Sequence, residues 1–139
     1  MVFVVISFII ALAVLIHYEF LYRISAFIPK MKIKHRFRIV FGVFGALIVH
    51  SLEIVLFACA YYVLPQYEGW GHLEGNFNGT LVDCIYFSYT TFTTLGFGDI
   101  EPHGQIRHLV GLESLTGPLL ITWTASFLYY EMQRYWDRR

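Results

Sequence analysis

The most specific chemistry of the chain lies in seven consecutive residues, Thr93-Thr94-Leu95-Gly96-Phe97-Gly98-Asp99. A dehydrated monovalent cation needs several oxygen ligands, and a strand whose carbonyls all point one way supplies them when four copies surround an axis. Consecutive carbonyls align only where the backbone torsions alternate between ordinary and unusual regions, and Gly96 and Gly98 supply that freedom. Thr94 adds a hydroxyl oxygen at the inner end. We therefore predict that the main chain of residues 94–98 lines the path of an ion.

A short helix is predicted immediately before this segment, over residues 81–92. Thr80 can cap its N-terminus, and Asp83 stands in the capping-box position. The stretch is too short to cross a bilayer and has the length of a re-entrant segment or a buried helix. If its C-terminal end faces the membrane centre, the negative end of its dipole faces a waiting cation. Leu95 and Phe97 are expected to turn away from the ion path and pack against this helix.

The composition indicates that the solvent of the chain is a lipid bilayer, since 57% of the residues are hydrophobic and 14% are charged. Three segments are long and apolar enough to span it: 1–22, 39–64 and 109–130. The formal net charge of zero gives no sign of a nucleic-acid partner. We therefore predict an all-α, multi-pass integral protein of the cell membrane, with three transmembrane helices and a re-entrant helix between the second and third.

Basic residues cluster in two places, the first connection and the tail: Arg23, Lys30, Lys32, Lys34, Arg36, Arg38, Arg134, Arg138 and Arg139. Since basic residues near span ends stay cytoplasmic, the N-terminus is predicted outside, and the linker 23–38 and the tail 131–139 inside. Apolar and basic residues alternate over 24–38, as in an amphipathic element that lies among lipid headgroups and attracts anionic lipid. A basic loop that only fixes the topology explains the same pattern.

Residues 93–99 resemble the potassium-channel signature threonine-threonine-valine-glycine-tyrosine-glycine-aspartate, with Leu95 for the valine and Phe97 for the tyrosine. The similarity covers residues 37–135. It implies a pore domain, 39–130, with these parts: outer helix 39–64, outer loop 65–80, pore helix 81–92, filter 93–99 and inner helix 109–130. It also implies a homotetramer that conducts K⁺ passively and selectively, with K⁺ held by Thr94, Leu95, Gly96, Phe97 and Gly98.

The resemblance also implies residues that support the filter. Tyr86 matches a tryptophan that pairs with the filter aspartate, so a contact between Tyr86 and Asp99 is expected. Thr90 stands where some relatives carry a glutamate, and Thr93 is the first threonine of the signature. Glu113, in the outer part of the inner helix, either carries charge toward the pore or hydrogen-bonds to the pore helix as a structural brace, and we favour the brace.

Four polar or helix-breaking residues within the spans are candidates for gating. His50 and Glu53 share one face of the second span, either as a pair satisfied inside the bundle or as a proton sensor. Gly117 and Pro118 interrupt the third span, because proline removes a backbone hydrogen bond and bends a helix. They form either a hinge for an inner gate or a static kink.

The two cysteines, Cys59 and Cys84, are predicted to be apolar packing residues, although a bridge between them remains open. The first span has no arginine before Arg23, which argues against strong voltage gating. No cytoplasmic ligand domain is expected after the third span, so lipid, tension, pH or constitutive opening remain as gating modes.

Other functions compete with that of a selective potassium channel. A potassium transporter subunit would be much longer and would repeat the helical hairpin four times. A non-selective cation channel and a non-conducting, channel-like membrane partner remain as alternatives. The sequence contains no nucleophile, metal triad or phosphate-binding loop that would support an enzyme.

Overall fold

The computed structural model describes residues 1–136, apart from the side chains of residues 35, 135 and 136. Within this range the fold is mostly helical, with helices α1 (Val2–Phe27), α2 (His35–Val63), α3 (Leu81–Phe92) and α4 (Ile106–Trp136). Two 3₁₀ turns, Ile28–Lys30 and Leu64–Gln66, extend α1 and α2. Strands β1 (His72–Gly75) and β2 (Ile100–His103) form a small sheet that sequence analysis did not predict.

Within residues 1–136, two helices are long and apolar enough to cross a membrane, judged by length and composition alone. They are Val2–Lys30 and Arg36–Gln66, which include the first two predicted spans. Helix α4 has 31 residues, which is long enough, but it is not one of these two. A crossing by α4 therefore stays a prediction.

The helices extend beyond the predicted bounds at the first connection and at the tail. Because nothing between Arg23 and Phe27 breaks a helix, α1 absorbs the first part of the predicted linker 23–38, and Pro29 then starts a 3₁₀ turn. Helix α2 begins at His35, so residues 31–34 alone connect the two elements. Likewise α4 runs to Trp136 through most of the predicted tail, of which Arg138 and Arg139 lie outside the described residues.

Helix α2 packs against α1, α3 and α4, and most extensively against α3. Its buried aromatic residues meet those of α3: the rings of Tyr61 and Phe87 lie edge to face at 5.0 Å, and those of Phe57 and Phe92 are 6.4 Å apart. Burial of large aromatic side chains is the main stabilising term in such a core. The packing fixes the position of α3, which leads directly into residues 93–99.

The antiparallel sheet pairs His72 with His103 and Gly75 with Ile100, so that β1 lies beside the residues that follow the filter. The amide of Asn76 donates to the carbonyl of Asp99 at 2.8 Å. A Cβ on Gly75, whose φ is +102°, would lie 2.3 Å from the Asp99 carbonyl oxygen, so glycine is required there. Residues 72–76 therefore hold the backbone in place directly after the segment 93–98.

Candidate functional site

Helix α3 begins with a capping box. The backbone N–H of Asp83 donates to the hydroxyl oxygen of Thr80 at 3.1 Å, and the carboxylate of Asp83 accepts from the backbone N–H of Thr80 at 3.4 Å. The amide of Asn78 donates to the same carboxylate at 2.9 Å. These bonds satisfy donors that the first turn leaves free and fix where the helix starts.

The segment after α3 has backbone torsions that alternate. The φ angle is +58° at Thr94, +48° at Gly96 and +78° at Gly98, which is every second residue. Alternation is the condition for carbonyls that point the same way, and glycine meets it at two of the three positions. The third position, Thr94, was not expected, because a positive φ is rare for a β-branched residue.

Leu95 and Phe97 lie between these positions, and their side chains are 59% and 66% exposed. The described chain thus leaves more than half of each residue uncovered, and their packing against α3 stays a prediction. Thr94, Gly96 and Gly98 line a cavity of about 280 Å³, together with Val110 and Ser114 of α4.

The expected contact at the outer end of the segment is present: the Tyr86 hydroxyl donates to Oδ2 of Asp99 at 2.9 Å. The hydroxyls of Thr90 and Thr93 donate to backbone carbonyls of α3, those of Phe87 (2.9 Å) and Tyr89 (2.7 Å). Both threonines therefore stabilise the C-terminal end of α3.

Glu113 lies in α4 with its side chain buried, 0% exposed, and joins α4 to both α2 and α3. The Tyr61 hydroxyl of α2 donates to Oε2, and Ser88 Oγ of α3 lies 2.5 Å from Oε1. Ser88 Oγ also lies 2.9 Å from the carbonyl of Ile54. Because a hydroxyl has one proton, the set is complete when Ser88 donates to Ile54 and the carboxyl group of Glu113 donates to Ser88.

The hydrogen bonds of Glu113 predict the effect of two substitutions. Glu113→Gln should keep the assembly close to wild type, since the amide donates to Ser88 and its carbonyl accepts from Tyr61. Glu113→Leu should destabilise each chain by about 1–3 kcal/mol, because the buried Tyr61 hydroxyl loses its partner. Thermal unfolding of the detergent-purified protein measures both. Equal destabilisation by the two variants would contradict a neutral carboxyl group.

Gly117 is a point of close approach between α4 and the end of α3. A Cβ at this position would lie 1.9 Å from the carbonyl oxygen of Phe92. Pro118 lies inside α4, which continues on both sides of it, and the Thr122 hydroxyl donates to the Pro118 carbonyl at 2.6 Å. Gly117 therefore has a packing role that sequence analysis missed, whether or not the pair acts as a hinge.

His50 and Glu53 lie as the spacing predicted, with His50 Nδ1 2.9 Å from Oε2 of Glu53. The other carboxylate oxygen lies 2.8 Å from Nδ1 of His17, which α1 brings to the same place. Sequence analysis did not connect His17 with the pair, because the connection spans two helices. Cys59 and Cys84 are free thiols in the described structure, Cys84 buried and Cys59 exposed.

On the exposed face of the sheet, Glu74 lies between two histidines, 2.8 Å from His72 Nε2 and 3.4 Å from His103 Nε2. The hydrogen bond with His72, together with the charge of His103, lowers the pKa of Glu74 from its usual range. A lowered folded-state pKa stabilises the sheet above the usual carboxyl range, and that contribution is lost as pH falls through the lowered value.

Glu74→Gln is therefore expected to remove part of the pH dependence of stability on the acid side, below about pH 4.3, the usual glutamate pKa. Melting temperatures of both proteins between pH 3 and 7 measure the difference. Parallel melting curves across that range would contradict the assignment.

A family model described as ion channel matches residues 49–134. The chain is 36% identical over 61 residues to a potassium channel protein of Paramecium bursaria Chlorella virus 1, covering 39% of this chain and 60% of that protein. It is 35% identical over 83 residues to a potassium channel subfamily K member 7 of Mus musculus, covering 55% of this chain and 26% of that protein.

An inward rectifier potassium channel of Paramagnetospirillum magnetotacticum is 34% identical over 80 residues, which cover 57% of this chain and 25% of that protein. The chain therefore spans less than two thirds of the length of these relatives. No solved structure matches the chain at a significant level.

Proposed function

Because the chain belongs to the ion channel family whose model matches residues 49–134, we propose that it conducts K⁺ passively through a pore formed by four copies. Members of this family are channels and not enzymes, so the function is to provide a path across the membrane. The relatives named as potassium channels support K⁺ as the permeant ion.

The observation that carries the proposal is the alternation of backbone torsions over Thr94, Gly96 and Gly98. Successive carbonyl oxygens on one side of a strand form layers, and four strands around an axis give each layer four ligands. These oxygens replace the hydration shell of the ion, and repulsion between ions at adjacent layers lets them leave again. The C-terminal end of α3 adds the negative end of its dipole on the inner side.

The exposure of Leu95 and Phe97 supports assembly. A single strand offers about one oxygen per layer, too few for a dehydrated cation, so the site needs further copies. Two large apolar side chains that are 59% and 66% exposed beside the filter need a surface to cover them. A neighbouring subunit provides that surface in a head-to-tail contact, and a contact of this kind closes into a ring.

The finer topology belongs to the same proposal. The inner helix α4 crosses the membrane as a third span, the N-terminus is outside, the basic residues of 23–38 face the cytoplasm, and those of 24–38 attract anionic lipid. The apolar character of α1 and α2 supports an integral membrane protein, which we place in the cell membrane.

The test is ion flux through the purified protein in liposomes loaded with potassium. We expect K⁺ to leave the liposomes and collapse the gradient. The flux of Na⁺ through the same protein should be much slower. Equal fluxes of the two ions would indicate a non-selective cation channel. A protein that assembles but carries neither ion would be a channel-like partner without a pore of its own, and the proposal would be rejected.

A further inference from the structure

Four polar side chains from three helices form a closed ring inside the bundle: His17 of α1, His50 and Glu53 of α2, and Thr124 of α4. Nδ1 of His17 and Nδ1 of His50 lie 2.8 Å and 2.9 Å from the two oxygens of Glu53. On the opposite edges of the rings, Nε2 of His17 and of His50 lie 3.4 Å and 3.1 Å from Thr124 Oγ1. The side chains of His17 and Glu53 are 0% exposed and that of His50 is 15% exposed.

We propose that His17, His50 and Glu53 bind one divalent transition-metal ion, with Zn²⁺ as the ion whose ligand preference they fit. Two imidazole nitrogens and a carboxylate oxygen are a common set of protein ligands for zinc. One ligand atom from each residue lies within 4.8 Å of the other two. A tetrahedral site with bonds of about 2.0–2.2 Å separates its ligand atoms by about 3.3–3.6 Å. Small rotations of the three side chains would bring the ligand atoms to these separations.

The position of Thr124 supports this assignment, because its hydroxyl has one proton and faces two histidines. If both imidazoles are neutral and donate from Nδ1 to Glu53, two Nε2 acceptors face a hydroxyl that has a single proton. If instead a metal ion occupies the Nδ1 side, both Nε2 atoms keep their protons and donate into the two lone pairs of Thr124. A metal-bound histidine normally donates its second N–H in this way.

An extra proton on one imidazole would also complete the hydrogen bonds of the ring. The number of side chains that converge on one point distinguishes a metal ion from a proton. A proton bridges two atoms along a line, and Glu53 with one histidine would suffice to hold it. Here a histidine from a second helix brings a third metal-ligating atom to the same small volume, as in metal sites built between facing helices of a bundle.

The site would fasten the N-terminal helix to the pore domain. His50 and Glu53 lie within the residues that match the ion channel family, whereas His17 lies outside them. The ring of Trp123, 5.0 Å from that of His17, covers the cluster from the side of α4. Metal binding would therefore stabilise the contact of α1 with α2 without any part in ion coordination at the filter, and the inference does not rest on K⁺ conduction.

The test uses the full chain, purified in detergent and stripped with a chelator. Co²⁺ is titrated as a spectroscopic substitute for Zn²⁺, with visible absorption and bound metal per chain as readouts. Thr124→Val should weaken Co²⁺ binding by about 10–100-fold, and His17→Ala by at least that much. His72→Ala, at the exposed pair of His72 with Glu74, is the matched control and should leave the affinity unchanged.

Glu53→Gln provides a second variant, whose side chain has nearly the same size as the glutamate it replaces. An unchanged helical circular dichroism spectrum shows that each variant is folded. Binding of one Co²⁺ per chain, lost in His17→Ala and in Glu53→Gln but kept in His72→Ala, supports the site. If the wild-type chain binds no Co²⁺, or if His17→Ala binds it equally well, the cluster is a ring held by hydrogen bonds and a proton only, and the proposal is overturned.

Discussion

Alanine in place of Gly98 is expected to abolish selective K⁺ flux while the helices remain folded. The φ angle of Gly98 is +78°, and a Cβ there meets no atom of the described residues within 4 Å. The cost is therefore conformational and not a clash. An L-residue in this region is destabilised by about 1–2 kcal/mol, so each chain tends to flip the peptide and turn its carbonyl away from the axis.

In the proposed assembly of four copies, the cost adds up over the subunits. A cost of about 1–2 kcal/mol in each chain adds to about 4–8 kcal/mol in a tetramer, which lowers the population of a fully formed filter by about a thousandfold or more. The measurement is K⁺ efflux from liposomes at a known number of channels per vesicle.

Gly79 provides a matched control, because its φ angle is +77° and a Cβ there also meets no atom of the described residues within 4 Å. It lies before α3 in the outer loop, away from the ion path. Gly79→Ala should impose similar backbone strain and leave the flux essentially unchanged. If both variants conduct normally, the oxygens of residues 94–98 do not line the pore; if both lose conduction, the effect is strain on the fold and not loss of ion ligands.

Local signals in the sequence were sufficient for α3. The structure has this helix at Leu81–Phe92, the residues expected, because Thr80 and Asp83 form the cap and the segment then enters the glycines. The ends of the other helices were harder to predict from the sequence. Helix α1 continues past Tyr22 and α4 begins at Ile106, since the polar residues there do not break a helix.

Contacts between distant residues were visible in the sequence only where a family pattern supplied them. The approach of Tyr86 to Asp99 followed from a resemblance, and Glu113 was expected to act as a brace. His17 was not connected with Glu53, 36 residues away, since only the packing of α1 on α2 brings them together. Strand β1 was missed because it has four residues and ends in glycine, so it gives no alternating pattern long enough to recognise.

Gly117→Ala is expected to have the second large effect, this time through packing. The added Cβ would lie 1.9 Å from the carbonyl oxygen of Phe92 and 2.8 Å from its carbonyl carbon, and neither atom belongs to a flexible side chain. The end of α3 must then move away from α4. Overpacking of this kind costs about 1–3 kcal/mol per chain, more than the gain of about 1 kcal/mol from replacing a helical glycine.

Because Phe92 directly precedes the filter, displacement of its backbone should lower both the thermal stability of the assembly and its K⁺ flux. Gly111→Ala is the matched control: Gly111 lies in the same helix, where a Cβ meets no atom of the described residues within 4 Å, so this variant should be stabilised by about 0.5–1 kcal/mol. Pro118→Ala separates packing from bending, since it leaves the contact of Gly117 with Phe92 intact. If Gly117→Ala assembles with wild-type stability and alters only the opening kinetics, as Pro118→Ala would for a hinge, then the close approach of α4 to α3 is not what requires glycine there.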